Sequence, residues 1–246
     1  MHVTFVLVLC LTAVNLCTGI LDVIVEKSKE ALVQTSVTLT CDYTPPSAFQ
    51  DRYFILWHFQ PEIGGFEEII YDVTDGGTGT GHNQFAGRTS LSGSRASLTI
   101  SRLELDDAGS YTCEVDFYIA KQEGTGTTEL KIHKTPDTVD ILDFSHSEIV
   151  SVNVGVDTEF SCHATNAKPA PMITWYKNDE ELENAKGSHV TELEDGAYDV
   201  VSTLTLTPEK SDDNAVVKCE SSQEPDIMRG VVDSDTIFLN ISKPIC

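Results

Sequence analysis

Basic residues are scarce in this sequence, and their scarcity excludes several functions. Sixteen lysines and arginines stand against 39 aspartates and glutamates, which gives a formal net charge of −23 at pH 7. Such a negative field repels nucleic-acid phosphates and anionic lipid headgroups. We therefore expect no nucleic-acid partner and no adsorption to an anionic membrane surface.

Long apolar runs are also scarce. The clearest one, residues 3–16, carries no charge and is too short to cross a bilayer. It is followed by Cys17, Thr18 and Gly19, and the whole has the pattern of a secretory signal peptide that is cleaved after Gly19. The sequence thus predicts a signal peptide at residues 1–19. We expect a secreted chain, or the ectodomain of a membrane-anchored protein, with no membrane segment in the chain itself.

Motifs for catalysis and for metal or nucleotide binding are missing. The sequence contains no GxSxG, no HExxH and no Walker phosphate loop. The Gly-rich residues 75–81 lack the lysine that a phosphate loop requires, so we interpret them as a strand connection. No two histidines have metal-ligand spacing on one strand, and the acidic runs lack the ligand loop of a calcium site. We predict no enzymatic activity, no metal site and no cofactor.

Cysteine, by contrast, is present in a number and a spacing that favour disulfides. The sequence has seven cysteines, and five remain once the predicted signal peptide is removed. Disulfides form and persist in secreted proteins. The spacing groups four of the five by halves of the chain, which predicts the disulfides Cys41–Cys113 and Cys162–Cys219.

Tryptophan is rare, and its positions repeat with the cysteines. The chain has only two: Trp57 follows the first cysteine of the first pair, and Trp175 follows that of the second. The order Cys, Trp, distant Cys is typical of an immunoglobulin sandwich, in which a disulfide joins the two sheets and the tryptophan packs against it. Because this order occurs twice, the sequence predicts an all-β protein of two tandem immunoglobulin-like β-sandwiches with Trp57 and Trp175 in their cores.

The length of each cysteine interval predicts the type of each domain. The first spans 72 residues and has room for the two extra strands of a variable-type (V-type) domain, whereas the second spans 57 and fits a constant-like domain. A short Pro-containing connection begins at Lys134. The predicted domains are residues 20–134 (V-type) and 135–242 (C2- or C1-type), followed by a C-terminal stub at 243–246.

The most specific string in the chain is Asp107-Ala-Gly-Ser-Tyr-Thr-Cys113. It matches the D-x-G-x-Y-x-C signature of immunoglobulin domains, in which the tyrosine, here Tyr111, forms a hydrogen bond back to the main chain. The resemblance further implies that Asp107 forms an ion pair with Arg88 at the start of strand D. We expect this pair to be structural rather than catalytic.

Three stretches of the second half, residues 168–182, 201–208 and 211–219, resemble the second domain of nectins and nectin-like cell adhesion molecules. Ectodomains of that family begin with a V-type domain followed by constant-like domains, and the same order is predicted along this chain. The resemblance implies recognition of the same or related proteins across cells, through the sheet of strands G, F, C and C′ in the first domain. A weak homodimer is one expectation.

The residues of strand C predict the same surface independently. Alternation about Trp57 turns Phe54, Leu56 and His58 outward. The predicted partner-binding residues are Phe54, Leu56 and His58, then Tyr71 on the next strand, Thr112, Glu114 and Asp116 on strand F, and Phe117 and Tyr118 in the loop at 117–123. An apolar centre with a polar rim is the usual anatomy of a protein interface. The alternatives are that the domain's own loops cover the apolar residues, that the alternation is shifted by one residue, and that the loop is an ordinary hairpin tip.

The C-terminal region carries two further candidates. Asn240-Ile-Ser242 is the one N-glycosylation sequon after the signal peptide, and we expect Asn240 to carry a glycan if it points outward. Cys246 has no partner in the predicted scheme. It can bridge to another chain, remain a free thiol, or belong to a further domain. We favour a truncated or alternatively spliced ectodomain.

The sequence therefore predicts a secreted or cell-surface immunoglobulin-superfamily protein that mediates cell–cell adhesion through the outer face of its V-type domain. Its expected partner is a second copy or a related immunoglobulin-superfamily protein. The alternative is a soluble immune recognition molecule or decoy that binds a foreign protein or glycan through the loops of that domain. A membrane anchor encoded after Cys246 would favour adhesion.

Overall fold

The structure is a computed structural model that describes residues 19–93, 95–183, 185–224 and 232–242. The predicted signal peptide, except for Gly19, and the predicted stub with Cys246 lie outside these residues. Of the residues that the structure describes, 56% lie in strands and 4% in helices, and they form two β-sandwiches, so the predicted fold class is confirmed.

The strands of the first domain are short at the N-terminus and long at the centre of the main sheet. They are β1 (Gly19–Ile20), β2 (Val23–Ile24), β3 (Ser28–Leu32), β4 (Val37–Leu39), β5 (Asp42–Tyr43), β6 (Phe54–Pro61), β7 (Glu68–Thr74), β8 (Thr80–Gly81), β9 (Thr89–Leu91), β10 (Leu98–Ile100), β11 (Gly109–Phe117) and β12 (Gln122–His133). Short 3₁₀ helices span Asn83–Phe85 and Leu105–Asp107.

Two sheets face each other in this domain. The larger has the order β1-β12-β11-β6-β7-β8, with β3 also paired to β12, and the smaller has the order β4-β10-β9. Strands β12, β11, β6 and β7 are antiparallel neighbours and take the positions of strands G, F, C and C′ of a V-type domain. Strand β3 runs parallel to β12 over five register pairs, from Ser28 opposite Glu129 to Leu32 opposite His133.

The core of the first domain is built around its disulfide. Cys41 is bonded to Cys113 with an S–S distance of 2.05 Å, as the sequence predicts, and Trp57 lies opposite Cys113 in the sheet register. The Trp57 side chain is fully buried, and its Nε1–H donates to the main-chain oxygen of Ala96 at 2.8 Å. Alternation along β6 therefore fixes which of its side chains face solvent.

A buried ion pair closes one end of this domain. Both terminal nitrogens of Arg88 donate to the Asp107 carboxylate, at 2.7 and 2.8 Å, and the same carboxylate accepts the main-chain N–H of Glu104 at 2.9 Å. The Tyr111 hydroxyl donates to the Asp107 carbonyl at 2.7 Å. Burial raises the pKa of Tyr111 well above 10.0, so its hydroxyl keeps the proton that it donates.

The second domain is also a sandwich of two sheets, and within the described residues it has fewer strands than the first domain. Its strands are β13 (Thr138–Ile141), β14 (Ile149–Asn153), β15 (Thr158–Ala167), β16 (Met172–Lys177), β17 (Glu180–Glu181), β18 (Ala185–Glu192), β19 (Tyr198–Leu206), β20 (Val216–Ser222) and β21 (Val232–Ser242). One sheet has the order β13-β15-β19-β18 and the other β14-β21-β20-β16-β17. Strand β14 runs parallel to β21 over five register pairs, from Ile149 opposite Phe238 to Asn153 opposite Ser242.

Its core repeats the arrangement of the first domain without the tyrosine. Cys162 is bonded to Cys219, and the fully buried Trp175 donates from Nε1 to Ser202 Oγ at 3.2 Å. Val217, two residues before the second cysteine, is fully buried where the first domain has Tyr111. The position thus contributes packing but no hydrogen bond to the main chain.

An ion pair that the sequence analysis missed lies at the equivalent end of the second domain. Lys177 Nζ lies 2.8 Å from Asp212 Oδ1, and the Asp212 carboxylate also accepts the main-chain N–H of Glu209 at 2.8 Å. Burial opposes ionisation of Asp212, but these two hydrogen bonds outweigh it and lower the pKa of the carboxyl.

The two domains are joined by a short hydrogen-bonded segment. The main chains of Lys134 and Lys168 exchange two hydrogen bonds, at 2.7 and 2.9 Å, and Lys168 Nζ lies 2.7 Å from a carboxylate oxygen of Glu62 in the first domain. Gln223 donates to the carbonyls of Lys134 and Pro169. Residues of both domains therefore form hydrogen bonds or ion pairs at the connection.

His133 ends β12 at this junction and is nearly enclosed. Its side chain is buried, Nε2 lies 3.5 Å from a carboxylate oxygen of Glu30, and neither ring nitrogen has a hydrogen-bond partner among the described residues. Burial lowers the pKa of His133 below 6.5, because desolvation of the imidazolium outweighs the attraction of Glu30. Lys131 and Lys168 lower it further.

We expect this histidine to make the first domain less stable in mild acid. Below about pH 6.5 the unfolded chain binds a proton at residue 133 that the folded chain binds only at lower pH, so the free energy of unfolding falls as the pH falls. His133→Phe removes this contribution, and the urea midpoint should then change less between about pH 7.5 and pH 5. His189→Phe, at an exposed position of β18, should keep the wild-type dependence. If both variants keep it, other groups cause the pH dependence.

Candidate protein-binding face

Four neighbouring strands of the first domain present one outer face, here called the GFCC′ face. It consists of the outward side chains of β12, β11, β6 and β7, which the antiparallel register aligns in three rows. The first row is Glu123, Asp116, Phe54 and Thr74; the second is Thr125, Glu114, Leu56 and Asp72; the third is Thr127, Thr112, His58 and Ile69. The residues predicted to face outward on strands C and F therefore lie side by side.

The centre of the GFCC′ face is apolar and accessible. Phe54 is 38% exposed and Ile69 is 43% exposed, and Leu56 is half-buried between them. The Tyr118 ring packs on Phe54 with the ring centroids 5.0 Å apart. The turn between β11 and β12, here called the F–G turn, thus covers one side of Phe54 and leaves part of the apolar centre exposed.

His58 links the apolar centre to the acidic part of the face. Its Nε2 lies 3.0 Å from a carboxylate oxygen of Glu114, and its Nδ1 lies 3.4 Å from one of Glu67. Beside it, the hydroxyls of Thr112 and Thr127 form a hydrogen bond of 2.9 Å. These contacts hold the polar side chains of the third row in defined positions.

The first row is strongly acidic. Asp116 has Glu123 as its direct neighbour on β12, and Glu114 precedes it by two residues on the same side of β11. Partial burial raises the pKa of Asp116, and repulsion from Glu123 and Glu114 raises it further. The carboxylates in this part of the face therefore repel one another, and their negative charge is not balanced within the row.

The F–G turn is held by a cluster of hydrogen bonds. The Tyr118 hydroxyl lies 3.0 Å from the Asp75 carboxylate, which also accepts the side chain of Arg52 at 3.1 Å and the main-chain N–H of Tyr53 at 3.0 Å. Ile119 at the tip is 48% exposed. Tyr118 thus lies at the edge of the GFCC′ face, and its hydroxyl is already engaged within the domain.

The prediction that Tyr71 faces outward is wrong. The register between β6 and β7 shifts between Trp57 and His58, and this bulge turns the consecutive residues Ile70 and Tyr71 both toward the core. Tyr71 lies opposite Trp57 and is 5% exposed. Ile69 takes the outward position opposite His58 instead.

The prediction that Phe117 belongs to a binding loop is also wrong. Strand β11 continues through Phe117, so this residue has the inward orientation of Cys113 and is almost fully buried. Its ring packs against Tyr43 and Tyr53, with ring centroids 5.8 and 5.6 Å away. Phe117 stabilises the base of the F–G turn and is not available to a partner.

The predicted glycosylation residue lies in the second domain, far along the chain from this face. Asn240 is exposed on β21, and its Nδ2 lies 3.3 Å from Ser151 Oγ. Its modification remains a prediction.

Within the described ranges, no group of three or more His, Cys, Asp or Glu side chains is arranged to hold a metal ion. In the same part of the chain, no helix combines the length and the apolar character that a membrane crossing requires.

Two sandwiches, each with an inter-sheet disulfide and a buried tryptophan, define an immunoglobulin architecture, and the additional strands β7 and β8 mark the first domain as V-type. Family models agree with this assignment. The immunoglobulin V-set domain matches residues 24–133, and the CD80-like C2-set immunoglobulin domain matches residues 145–226. The chain belongs to the immunoglobulin superfamily.

Several adhesion molecules are similar to this chain. Cell adhesion molecule 2 of Homo sapiens is 30% identical over 128 residues, which cover 52% of this chain and 28% of that protein. Basal cell adhesion molecule of Mus musculus is 25% identical over 248 residues, which cover 91% of this chain and 37% of that protein. The crystal structure of the mouse nectin-like molecule 4 ectodomain has the same fold, with a TM-score of 0.63 at 18% identity over 88% of this chain and 67% of that one. The chain spans less than half the length of the two curated relatives.

These likenesses confirm the resemblance to nectin-like adhesion molecules that the sequence indicated. They support a role in adhesion or recognition through protein binding and agree with an extracellular domain. The matched immunoglobulin domains and the adhesion-molecule family are non-enzymatic.

Proposed function

We propose that this protein mediates cell–cell adhesion by binding another immunoglobulin-superfamily protein through the GFCC′ face of its first domain. The observation that carries the proposal is the open apolar centre of Phe54, Leu56 and Ile69 within a polar rim. Interfaces commonly combine such a centre with a rim that excludes water. We further propose that the chain is exported by the signal peptide at residues 1–19 and is glycosylated at Asn240.

The opposite face of the same domain supports this choice by contrast. There the register aligns Thr38, Thr99 and Ser90 across β4, β10 and β9, and the hydroxyls of Thr38 and Thr99 form a hydrogen bond with each other at 2.8 Å. Small hydroxyl side chains offer little apolar area to a partner. The GFCC′ face is therefore the better candidate of the two.

The contacts available on one such face favour modest affinity. An exposed aromatic ring, two aliphatic side chains and a set of polar groups resemble the few anchors that dominate many interfaces. Many copies on apposed cell surfaces would multiply a weak contact, because each later contact forms at high effective concentration. Adhesion by this chain would thus depend on surface density.

Leu56→Asp is the direct test. The change places a charge in the apolar centre while leaving the buried side of β6 untouched, so we expect at least about a tenfold loss of affinity, equal to about 1.4 kcal/mol. The measurement applies fluorescent tetramers of the purified chain to cells that display immunoglobulin-superfamily ectodomains, including this one.

Ser90→Asp is the matched control for this test. It adds the same charge at an exposed position of the opposite sheet, and it should bind as the wild type does. Circular dichroism and the melting temperature verify that both variants are folded. Normal binding by Leu56→Asp together with loss of binding by Ser90→Asp would assign recognition to the opposite face.

A further inference from the structure

We propose that the GFCC′ face binds an immunoglobulin-type surface whose rim carries lysines or arginines, and that a second copy of this chain is not its partner. This inference rests on the proposed function, since it takes the GFCC′ face as the binding surface. It concerns the chemistry of the partner, which the proposed function leaves open between self and a related protein.

The GFCC′ face is negatively charged. The three rows contain twelve residues, all described by the structure, and four are carboxylates: Asp72, Glu114, Asp116 and Glu123. None of the twelve is a lysine or an arginine, so their formal charge is −4 with His58 neutral. The carboxylates lie in the first and second rows, around Phe54 and Leu56.

Few positively charged side chains lie near these carboxylates. His58 contacts Glu114 and Glu67, and His82 contacts Asp72, so two carboxylates of the rows have imidazole partners. Arg52 is engaged by Asp75 outside the rows. Lys121, in the F–G turn, lines a pocket with Asp116 and Glu123 and is a further cation beside the first row. The carboxylates around the apolar centre thus exceed the cations.

Pairing of this face with a second copy of itself would bring the carboxylates of both copies together. A symmetric pair of identical faces brings each patch against its own copy, so a face-to-face dimer would enclose eight carboxylates around one apolar centre. Like charges that are brought together at an interface repel each other and suppress the wrong partner. A partner with the same type of apolar centre but a cationic rim turns the same carboxylates into attractive contacts and accelerates association. Electrostatics therefore select a partner other than self.

A copy of this chain with its rim reversed serves as the probe. The variant Glu114→Lys, Asp116→Lys, Glu123→Lys keeps Phe54 and Leu56 and supplies the cationic rim that the proposal requires. Sedimentation over a concentration series compares the wild type alone, the variant alone and their equimolar mixture. We expect both single species to remain monomeric and the mixture to form a 1:1 complex, with affinity at least roughly tenfold higher at about 50 mM than at about 300 mM salt.

A neutral variant keeps the test valid if the lysine variant does not fold. Glu114→Gln, Asp116→Asn, Glu123→Gln removes the repulsion with little change of shape, and it should self-associate at concentrations at which the wild type is monomeric. Failure of the folded lysine variant to bind the wild type, or, where that variant does not fold, failure of the neutral variant to self-associate, would overturn the proposal.

Leu56→Asp distinguishes failure of the charge inference from failure of the proposed binding face. If the wild type self-associates and Leu56→Asp abolishes it, the GFCC′ face binds its own copy, so the proposed function stands and the charge inference fails. If the mixed complex forms but persists when Leu56→Asp is present in both chains, association uses another surface, and the assignment of this face is wrong. Loss of the mixed complex with Leu56→Asp supports both.

Discussion

Trp57→Ala should destabilise the first domain by about 3–5 kcal/mol. The indole is fully buried between the two sheets, lies opposite Cys113 in the register and donates a hydrogen bond to the carbonyl of Ala96. Its removal leaves a large cavity beside the disulfide and an unpaired main-chain acceptor, and a packed interior does not close such a cavity completely. The disulfide limits the expansion of the unfolded chain but does not refill the core.

Hydrogen exchange followed by mass spectrometry measures this effect in the complete two-domain chain. The slowest amides of β6 and β11 should exchange about two to four orders of magnitude faster in Trp57→Ala, whereas peptides of the second domain should not change. Trp57→Phe, which keeps most of the volume and loses the N–H, should show a smaller effect. Equal exchange in the alanine variant and the wild type would mean that the indole is not a packing element of this core.

Asp107→Ala should cost a comparable amount, about 3–5 kcal/mol, because it leaves a buried charge without its partner. Arg88 is 8% exposed and Asp107 is 1% exposed, so the substitution leaves the guanidinium at a largely buried position without its carboxylate partner. The substitution also removes the acceptor for the main-chain N–H of Glu104. The carbonyl that accepts the Tyr111 hydroxyl remains, so that hydrogen bond alone does not account for the loss.

Asp106→Ala is the matched control, because it removes the same charge one residue away at an exposed position. Calorimetry of the full chain should show the first-domain transition lowered by more than about 10 °C in Asp107→Ala and little changed in Asp106→Ala. Equal shifts in the two variants would show that net charge, rather than the buried pair, determines stability at this end of the domain.

The strand pattern of the core could be predicted because it depends on local alternation. The Cys, Trp, Cys order fixes which parity of β6 faces inward, so Phe54, Leu56 and His58 follow without knowledge of the partner strands. The same rule, extended along β11 from Cys113, would have placed Phe117 inside. That error came from ending the strand one residue too early.

The C′ side of the face could not be predicted in the same way. A bulge in β7 places Ile70 and Tyr71 on one side, and nothing in the local alternation reveals where a bulge falls. Ile69 and Asp72 therefore lie on the face because of the register between β6 and β7, and this register depends on contacts between strands that are distant in sequence. Sequence reasoning also missed Glu123 on β12, although alternation from the inward Leu130 places it outward and could have found it.

The parallel pairing of terminal strands has a mechanical consequence. In both domains an early strand lies parallel to the last one, β3 beside β12 and β14 beside β21, over five register pairs each. A tensile load that enters at the start of a domain and leaves at its end pulls these two strands in opposite directions along their length. The inter-strand hydrogen bonds then resist sliding together instead of opening one after another. The chain thus contains two parallel strand pairs, one in each domain, that such a load would stress in shear, and this arrangement is suited to a chain under tension.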